Sequence, residues 1–298
     1  MPETAVAESA ATPALRELAL RHGLGSASAR PALTGYLRQL WAYRYFITTY
    51  ADARVASSLS QNRLGRLWQV FTPLTNAAVY YLIFGVILAA TKEVDNFVAY
   101  LCVGVFLFGY TQSCVQNGVT AISGNLGLIR ALQFPRASLP IAVTLVELQN
   151  MIPAMLVLGV IVLGTGEPLT WQWLLLVPLL LLQTLFNAGL ALLFARLGSK
   201  LPDFKQIIPF ALRVWMYGSA VLYSVEKFAA IDNHYLKEAI EANPALVYIE
   251  LMRHAMMEDA PLGNPVGGLW ALAVGWAVLA GVVGFLYFWR GEKEYGRG

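Results

Sequence analysis

The apolar residues of this 298-residue chain come in long blocks, and that patterning limits the fold more than any other feature. Six blocks, 67 to 90, 97 to 122, 140 to 165, 171 to 195, 207 to 224 and 268 to 289, are each close to the length a helix needs to cross a hydrocarbon slab ~30 Å thick. Lipid offers the backbone no hydrogen bonds, so each block must satisfy its own as a helix. Composition agrees: 57% of residues are hydrophobic and 13% charged, where a soluble domain carries about a quarter charged. The expectation is an all-α integral membrane protein with six transmembrane helices.

Six crossings put both termini on one side, and the charges choose which. Arg38, Arg44, Arg54, Arg63 and Arg66 precede the first block, Arg130 and Arg136 follow the second, Arg196, Lys200 and Lys205 follow the fourth, and Arg290, Lys293 and Arg297 follow the sixth. The opposite segments carry Glu93, Asp95, Glu167, Glu226, Asp232, Glu238, Glu241, Glu250, Glu258 and Asp259 against Lys92, Lys227, Lys237 and Arg253. Basic loops stay cytoplasmic, so the expectation is a multi-pass plasma-membrane protein with cytoplasmic N- and C-termini.

Residues 1 to 34 are Ala-rich and polar, without the apolar segment or cleavage pattern of a signal peptide, which predicts a disordered cytosolic tail. Residues 35 to 62 place Leu40, Tyr43, Ile47 and Tyr50 on one helical face and Arg38, Arg44, Thr48 and Asp52 opposite, with Trp41, Tyr45 and Phe46 adding rings suited to headgroup depth. That segment reads as an amphipathic helix lying in the interface, followed by a membrane domain over residues 63 to 298. Between the last two blocks, 225 to 267 alternates acidic and apolar residues, and the run after Asn243-Pro244 is too short to cross. A pair of short re-entrant or surface helices on the outer side is expected there.

Chemistry-bearing constellations are sparse. Cys102 and Cys114 are separated by ~18 Å of helix and cannot bridge each other. His22, His234 and His254 lack ligand spacing, and no phosphate-cradling Gly-x-x-x-x-Gly-Lys loop is present. The expectation is a protein without catalytic residues, metal or cofactor of its own. A net charge of +3 gives no nucleic-acid footprint.

Three motifs are more specific. Ser58, Leu64, Gly65, Trp68, Pro73 and Leu74 link the interface helix to the first span. Asn125, Leu128, Ile129, Arg130, Phe134, Pro135 and Arg136 form a basic loop in which a short helix is broken by Phe-Pro-Arg, offering apolar knobs among cations to another protein's cleft. Lys200, Pro202, Asp203 and Gln206 lead through the fifth block to Gly218, Ser219, Leu222 and Tyr223, with Asn243-Pro244 and Arg253 beyond. In this order, over about residues 35 to 290, the three stretches resemble the type-two ABC permeases, especially O-antigen, teichoic-acid and galactan exporters.

The resemblance implies a dimer of two such subunits on two ATPase subunits that hold ATP and Mg, with the loop after the second span as coupling helix. It also implies a channel lined by the first and fifth spans and capped by the short helices that Asn243-Pro244 opens. The cargo it implies is a polyprenyl-diphosphate-linked polysaccharide such as a cell-wall galactan or O-antigen. The chain departs from the family pattern at Ser219-Ala220, where the family often has Ser-Pro, so the outer hinge need not follow the family geometry.

Two ionisable residues fall inside spans, Glu147 in the third and Arg213 in the fifth, at matching depth ~10 Å from the cytoplasmic ends. They are expected to pair, or Arg213 to meet a lipid diphosphate. Phe210, Arg213 and Tyr217 share a face of the fifth block, and Asn76, Tyr80 and Phe84 a face of the first. Aromatic rings stack on the C–H faces of sugars, so these faces are expected to line the channel. The competing readings are a permease for a lipid or drug and, from another class, a membrane glycosyltransferase or acyltransferase.

Overall fold

The computed structural model describes residues 32–61, 65–87, 94, 96–230, 233–292, 294 and 295. The expected tail, 1 to 34, lies outside them except for its last three residues. Among the described residues the chain is helical throughout, with no strand.

Helices α1 (Leu33–Ala42) and α2 (Arg44–Gln61) cover the expected amphipathic segment, with one break at Tyr43. Tyr36, Ile47 and Ala51 are buried; of the expected stripe Ile47 is buried, Leu40 and Tyr50 are half-buried and Tyr43 is exposed, while Trp41 and Tyr45 project outward beneath the Arg44 guanidinium. Helix α3 (Gly65–Tyr80) continues into a π-helical turn, Tyr81–Ile87. Helix α4 (Phe97–Val119) starts at Asn96, whose Oδ1 accepts from the Ala99 amide at 3.2 Å.

The connection after α4 makes a 3₁₀ turn, Ser123–Asn125, and the short α5 (Leu126–Ala131). Then come α6 (Ser138–Gly164) and, led in by the 3₁₀ segment Trp171–Leu175, α7 (Leu176–Lys200). Helix α8 (Phe204–Tyr217) is followed by a turn, the 3₁₀ segment Val225–Ala230, α9 (His234–Glu241) and α10 (Pro244–Met256). Helix α11 (Val266–Arg290) ends the bundle.

Helices α4, α6, α11 and α7 with its lead-in are long and apolar enough to cross a membrane. Helix α8 is not: its 14 residues rise only ~21 Å, and the block expected over 207 to 224 leaves helical geometry at Gly218. Apolar residues all round a helix belong inside, and α4 occupies that position: 78% of its apolar window is buried, against 28%, 33% and 22% for the other three. It packs against α3, α6, α7, α8 and α10.

Helix α7 is pressed onto its neighbours at glycines. A Cβ on Gly198 would strike the Val119 backbone of α4, and one on Gly189 or Gly284 would strike the backbone of the facing helix where α7 crosses α11. The expected outer pair divides in two: α9 is largely exposed, whereas α10 is buried from Ala245 to Arg253, against α4, α11 and Trp171–Leu175.

Candidate functional site

Helices α3, α4, α6 and α8 surround an open cavity of about 560 Å³. Trp68, Thr72, Asn76 and Tyr80 recur every fourth residue on α3 and form one wall, as a helical stripe must. The opposite walls carry Gln112, Ser113 and Gln116 of α4, Glu147 and Asn150 of α6, and Pro209, Arg213 and Met216 of α8, with Phe106 and Phe108 between them. Amides, hydroxyls and rings dominate, so the lining offers both hydrogen-bond partners and flat apolar faces. A second cavity of about 370 Å³, between α2 and α6, is lined by Tyr50, Arg54, Ser57, Ser58 and Asn117. Glu147 and Asn150 line both cavities.

Glu147 and Arg213 therefore face the same space, as their matched depth suggested, but they do not pair. The Glu147 Oε1 accepts from Asn117 Nδ2 at 2.8 Å instead, because Asn117 stands opposite on α4 while Arg213 is exposed on the far wall. Asn76 and Tyr80 line this cavity. Phe210 and Tyr217 do not: they turn to the outside of α8 with Ile207 and Val214. The Phe84 side chain lies outside the described residues. Sequence reasoning missed Thr72 and the amides of α4 and α6, whose signal was polar side chains at helical spacing inside apolar spans.

The basic loop after α4 is fastened on several sides. The Tyr50 hydroxyl donates to Asn125 Oδ1 at 2.7 Å, the Tyr43 hydroxyl donates to the Gln133 carbonyl at 3.0 Å, and the Phe46 and Phe134 rings meet at 5.0 Å. Leu40 packs on the same apolar cluster, whereas Trp41 points away from it. Ile129 and Pro135 are buried and anchor the loop, Leu128 is half-buried, and Arg130, Ala131 and Leu132 form an exposed tip. At its far end, Arg136 donates from both its amide and its guanidinium to Glu292.

At the other end of the bundle, α10 caps the break after α8. Asn243 accepts at Oδ1 from Trp215 Nε1 (2.8 Å) and the Ala245 amide (3.1 Å), and its Nδ2 donates to the Gly218 carbonyl (3.0 Å) and Ser219 Oγ (2.9 Å). Pro244, at the first position of α10, has no amide that would need a partner there. Arg253 is completely buried. It donates from Nε to the Tyr100 carbonyl (3.2 Å), from Nη1 to that of Ala220 (3.0 Å) and from Nη2 to that of Val221 (3.2 Å), with its guanidinium 3.3 Å from the Tyr100 ring centre.

Gly104 makes the room, since a Cβ there would lie 2.7 Å from Arg253 Nη2. Ala220 takes φ 45°, the left-handed region that a non-glycine residue enters at a cost. Nearby, Glu250 Oε1 accepts from the Gly263 amide at 3.1 Å, and burial pushes its carboxyl up to about 7. Among the described residues there is no cluster of three or more metal-ligating side chains.

Known proteins can now be set beside this geometry. The O-antigen export system permease protein RfbA of Myxococcus xanthus is 28% identical over 190 residues, 63% of this chain and 71% of that protein. The protein of the same name from Klebsiella pneumoniae is 26% identical over 204 residues, 66% of this chain and 75% of its own. The polysialic acid transport protein KpsM of Escherichia coli is 26% identical over 205 residues, 65% and 74% of the two chains. The family match itself runs over residues 47–257, from within α2 to just past α10, and so takes in the cavity, the basic loop and the cap: this chain belongs to the ABC-2 type transporter family.

Proposed function

We propose that this chain is the membrane permease subunit of an ABC exporter that moves polyprenyl-diphosphate-linked polysaccharide out across the plasma membrane, driven by a separate ATPase subunit. The observation that carries this reading is the lining of the cavity. A lipid or drug permease has no use for Asn76, Gln112, Ser113, Gln116 and Asn150 converging on one space, whereas a glycan does: its hydroxyls need partners and its ring faces stack on Trp68 and Tyr80. The names of the relatives, which concern O-antigen and polysialic acid, point the same way.

In this reading the basic end is cytoplasmic and holds both termini, and α3 with its π turn and α8 with the turn after it complete six crossings. The tip Arg130, Ala131 and Leu132 docks on the ATPase, which brings ATP and Mg. A second copy covers the bare apolar faces of α3 and α8, where Leu67, Phe71, Ile207, Phe210 and Val214 are exposed, and turns two open cavities into one channel. Phe210 and Tyr217 then line it from the partner-facing side. Arg213 meets the diphosphate, and α10 closes the outer end. The cargo is of the O-antigen or galactan kind.

The test is reconstitution with the partner ATPase in liposomes, measuring ATP hydrolysis and transport against a polyprenyl-diphosphate glycan and against the polyprenyl diphosphate alone. Hydrolysis stimulated by the glycan-bearing lipid, with glycan transported, is the expected result. Equal handling of the bare lipid would favour a lipid permease, and chemical conversion of the lipid without ATP would favour a transferase. Arg213→Ala is expected to lower transport about tenfold, as the loss of one charge-assisted contact does. Unchanged transport would remove Arg213 from the substrate path.

A further inference from the structure

A carboxylate and a phenol lie buried at the basic end where neither the cavity nor the docking tip uses them. Tyr36 is 1% exposed and Glu292 8% exposed. The Tyr36 hydroxyl donates to Glu292 Oε2 at 2.7 Å and accepts from the Ala137 amide at 3.1 Å. The other carboxylate oxygen, Oε1, accepts from the Arg136 amide at 3.1 Å, and the Glu292 carbonyl accepts from the Arg136 guanidinium. Two residues far apart in sequence, bonded to each other, thus hold adjacent residues just past Phe134-Pro135: Glu292 holds Arg136 and Tyr36 holds Ala137.

The loop needs such help. Helix α5 has six residues, far fewer than an isolated helix requires, so its pose must come from outside it. Tyr43 at the break and Phe46 and Tyr50 on α2 supply part, but Glu292 adds a different connection. It sits two residues beyond α11, on a segment that folds back beneath that helix, with the Tyr295 hydroxyl donating to the Phe288 carbonyl at 3.0 Å and the Tyr295 ring stacked on Phe288 at 4.6 Å. Gly291 permits that fold-back, because a Cβ there would lie 2.6 Å from the Tyr295 hydroxyl oxygen. Burying a carboxylate is costly, and an apolar side chain would fill the space at less cost. What the carboxylate adds is direction: two donors on different segments are fixed on one group. Tyr36 and Glu292 both lie outside the stretch that matches the family, residues 47–257.

We propose that Tyr36 and Glu292 are positioning residues that lock the docking loop to the last helix, so that a push delivered to the loop by a motor subunit is passed to α11 as well as to α2. This rests on the reading of the loop as the docking site. In the assembled transporter, Tyr36→Phe keeps the ring packing and removes both hydrogen bonds. ATP hydrolysis is expected to continue while glycan exported per ATP falls at least about fivefold, the factor by which each lost hydrogen bond shifts a two-state equilibrium. Tyr36→Phe combined with Glu292→Gln is expected to fall no further, since both changes break one device. Unchanged export per ATP in Tyr36→Phe, or a parallel loss of export and hydrolysis, overturns the proposal.

Hydrogen exchange on the full chain without its ATPase supplies the second measurement. Tyr36→Phe is expected to speed exchange in residues 126–137 and to leave the middle of α11 unchanged, and a uniform acceleration overturns the lock. If the wild-type chain recruits no ATPase, the docking reading fails, while the exchange result still decides whether the lock exists.

Discussion

The two ends of the bundle hold irregular backbone in opposite ways. At the capped end most attachments come from two side chains: the Arg253 guanidinium donates to three carbonyls and the Asn243 amide to the Gly218 carbonyl and Ser219 Oγ, with the Tyr100 and Tyr223 hydroxyls adding one bond each. At the basic end the loop is tied by Tyr43, Tyr50, Tyr36 and Glu292, each making one or two bonds from a different segment. A concentrated support fails as a unit, whereas a distributed one weakens by degrees. The cap should accordingly behave as a two-position element and the loop as one that can be tuned.

The sharpest way to break that contrast is Arg253→Ala, which leaves the Ala220 and Val221 carbonyls without donors at ~1–3 kcal/mol each, so a loss of about 4 kcal/mol is expected in thermal unfolding of the detergent-solubilised protein. A loss below ~1 kcal/mol would show that the cap does not depend on this residue. The next effect is on pH. Glu250 holds its proton up to about 7, above its ordinary 4.5, so the folded state binds more protons than the unfolded one between those values. Its contribution to stability is greatest at the acid end of the window and falls as pH rises through it. Wild type should lose more thermal stability than Glu250→Gln between about pH 5 and about pH 7.5, and equal slopes would remove Glu250 from the cap's energetics.

Asn243→Ala removes the cap of α10 and the ties to α8, for an expected loss of ~1–2 kcal/mol in the same unfolding assay. Ala220→Gly should stabilise by about 1 kcal/mol, because glycine adopts φ 45° without a Cβ penalty. Destabilisation there would mean that burial of the Ala220 methyl contributes more than the left-handed backbone costs. Smallest is Tyr43→Phe, expected to cost about 0.5–1 kcal/mol and to speed hydrogen exchange around Gln133 alone, the graded response that a distributed support predicts.

The spans that could be read from sequence are those whose apolar character is long and continuous. Helices α4, α6, α7 and α11 fall on their expected blocks within a few residues because nothing outside each helix is needed to form it. The break after α8 was not legible in the same way. The carbonyls that would have continued the helix are taken by Arg253 and Asn243, which lie on another helix further along the chain. Within the cavity, spacing alone put Phe210 and Tyr217 on a face with Arg213, since three, four and seven residues are all neighbours on a helix. Rotation of α8 against α4 separates them, with Phe210 69% exposed while Arg213 faces the cavity. Gln112, Gln116 and Asn150 were visible as polar residues in apolar spans, but which of them meet depends on the relative register of helices that sequence does not fix.

The glycine contact between α7 and α11 has a mechanical consequence. Where two backbones touch with no side chain between them, neither helix can slide past the other without carbonyl and amide groups colliding. That seam makes the pair a stator. A change in the width of the cavity would then fall to α3 and α8, each of which already contains a joint: a π turn in one, and Pro209 and the bend at Gly218 in the other.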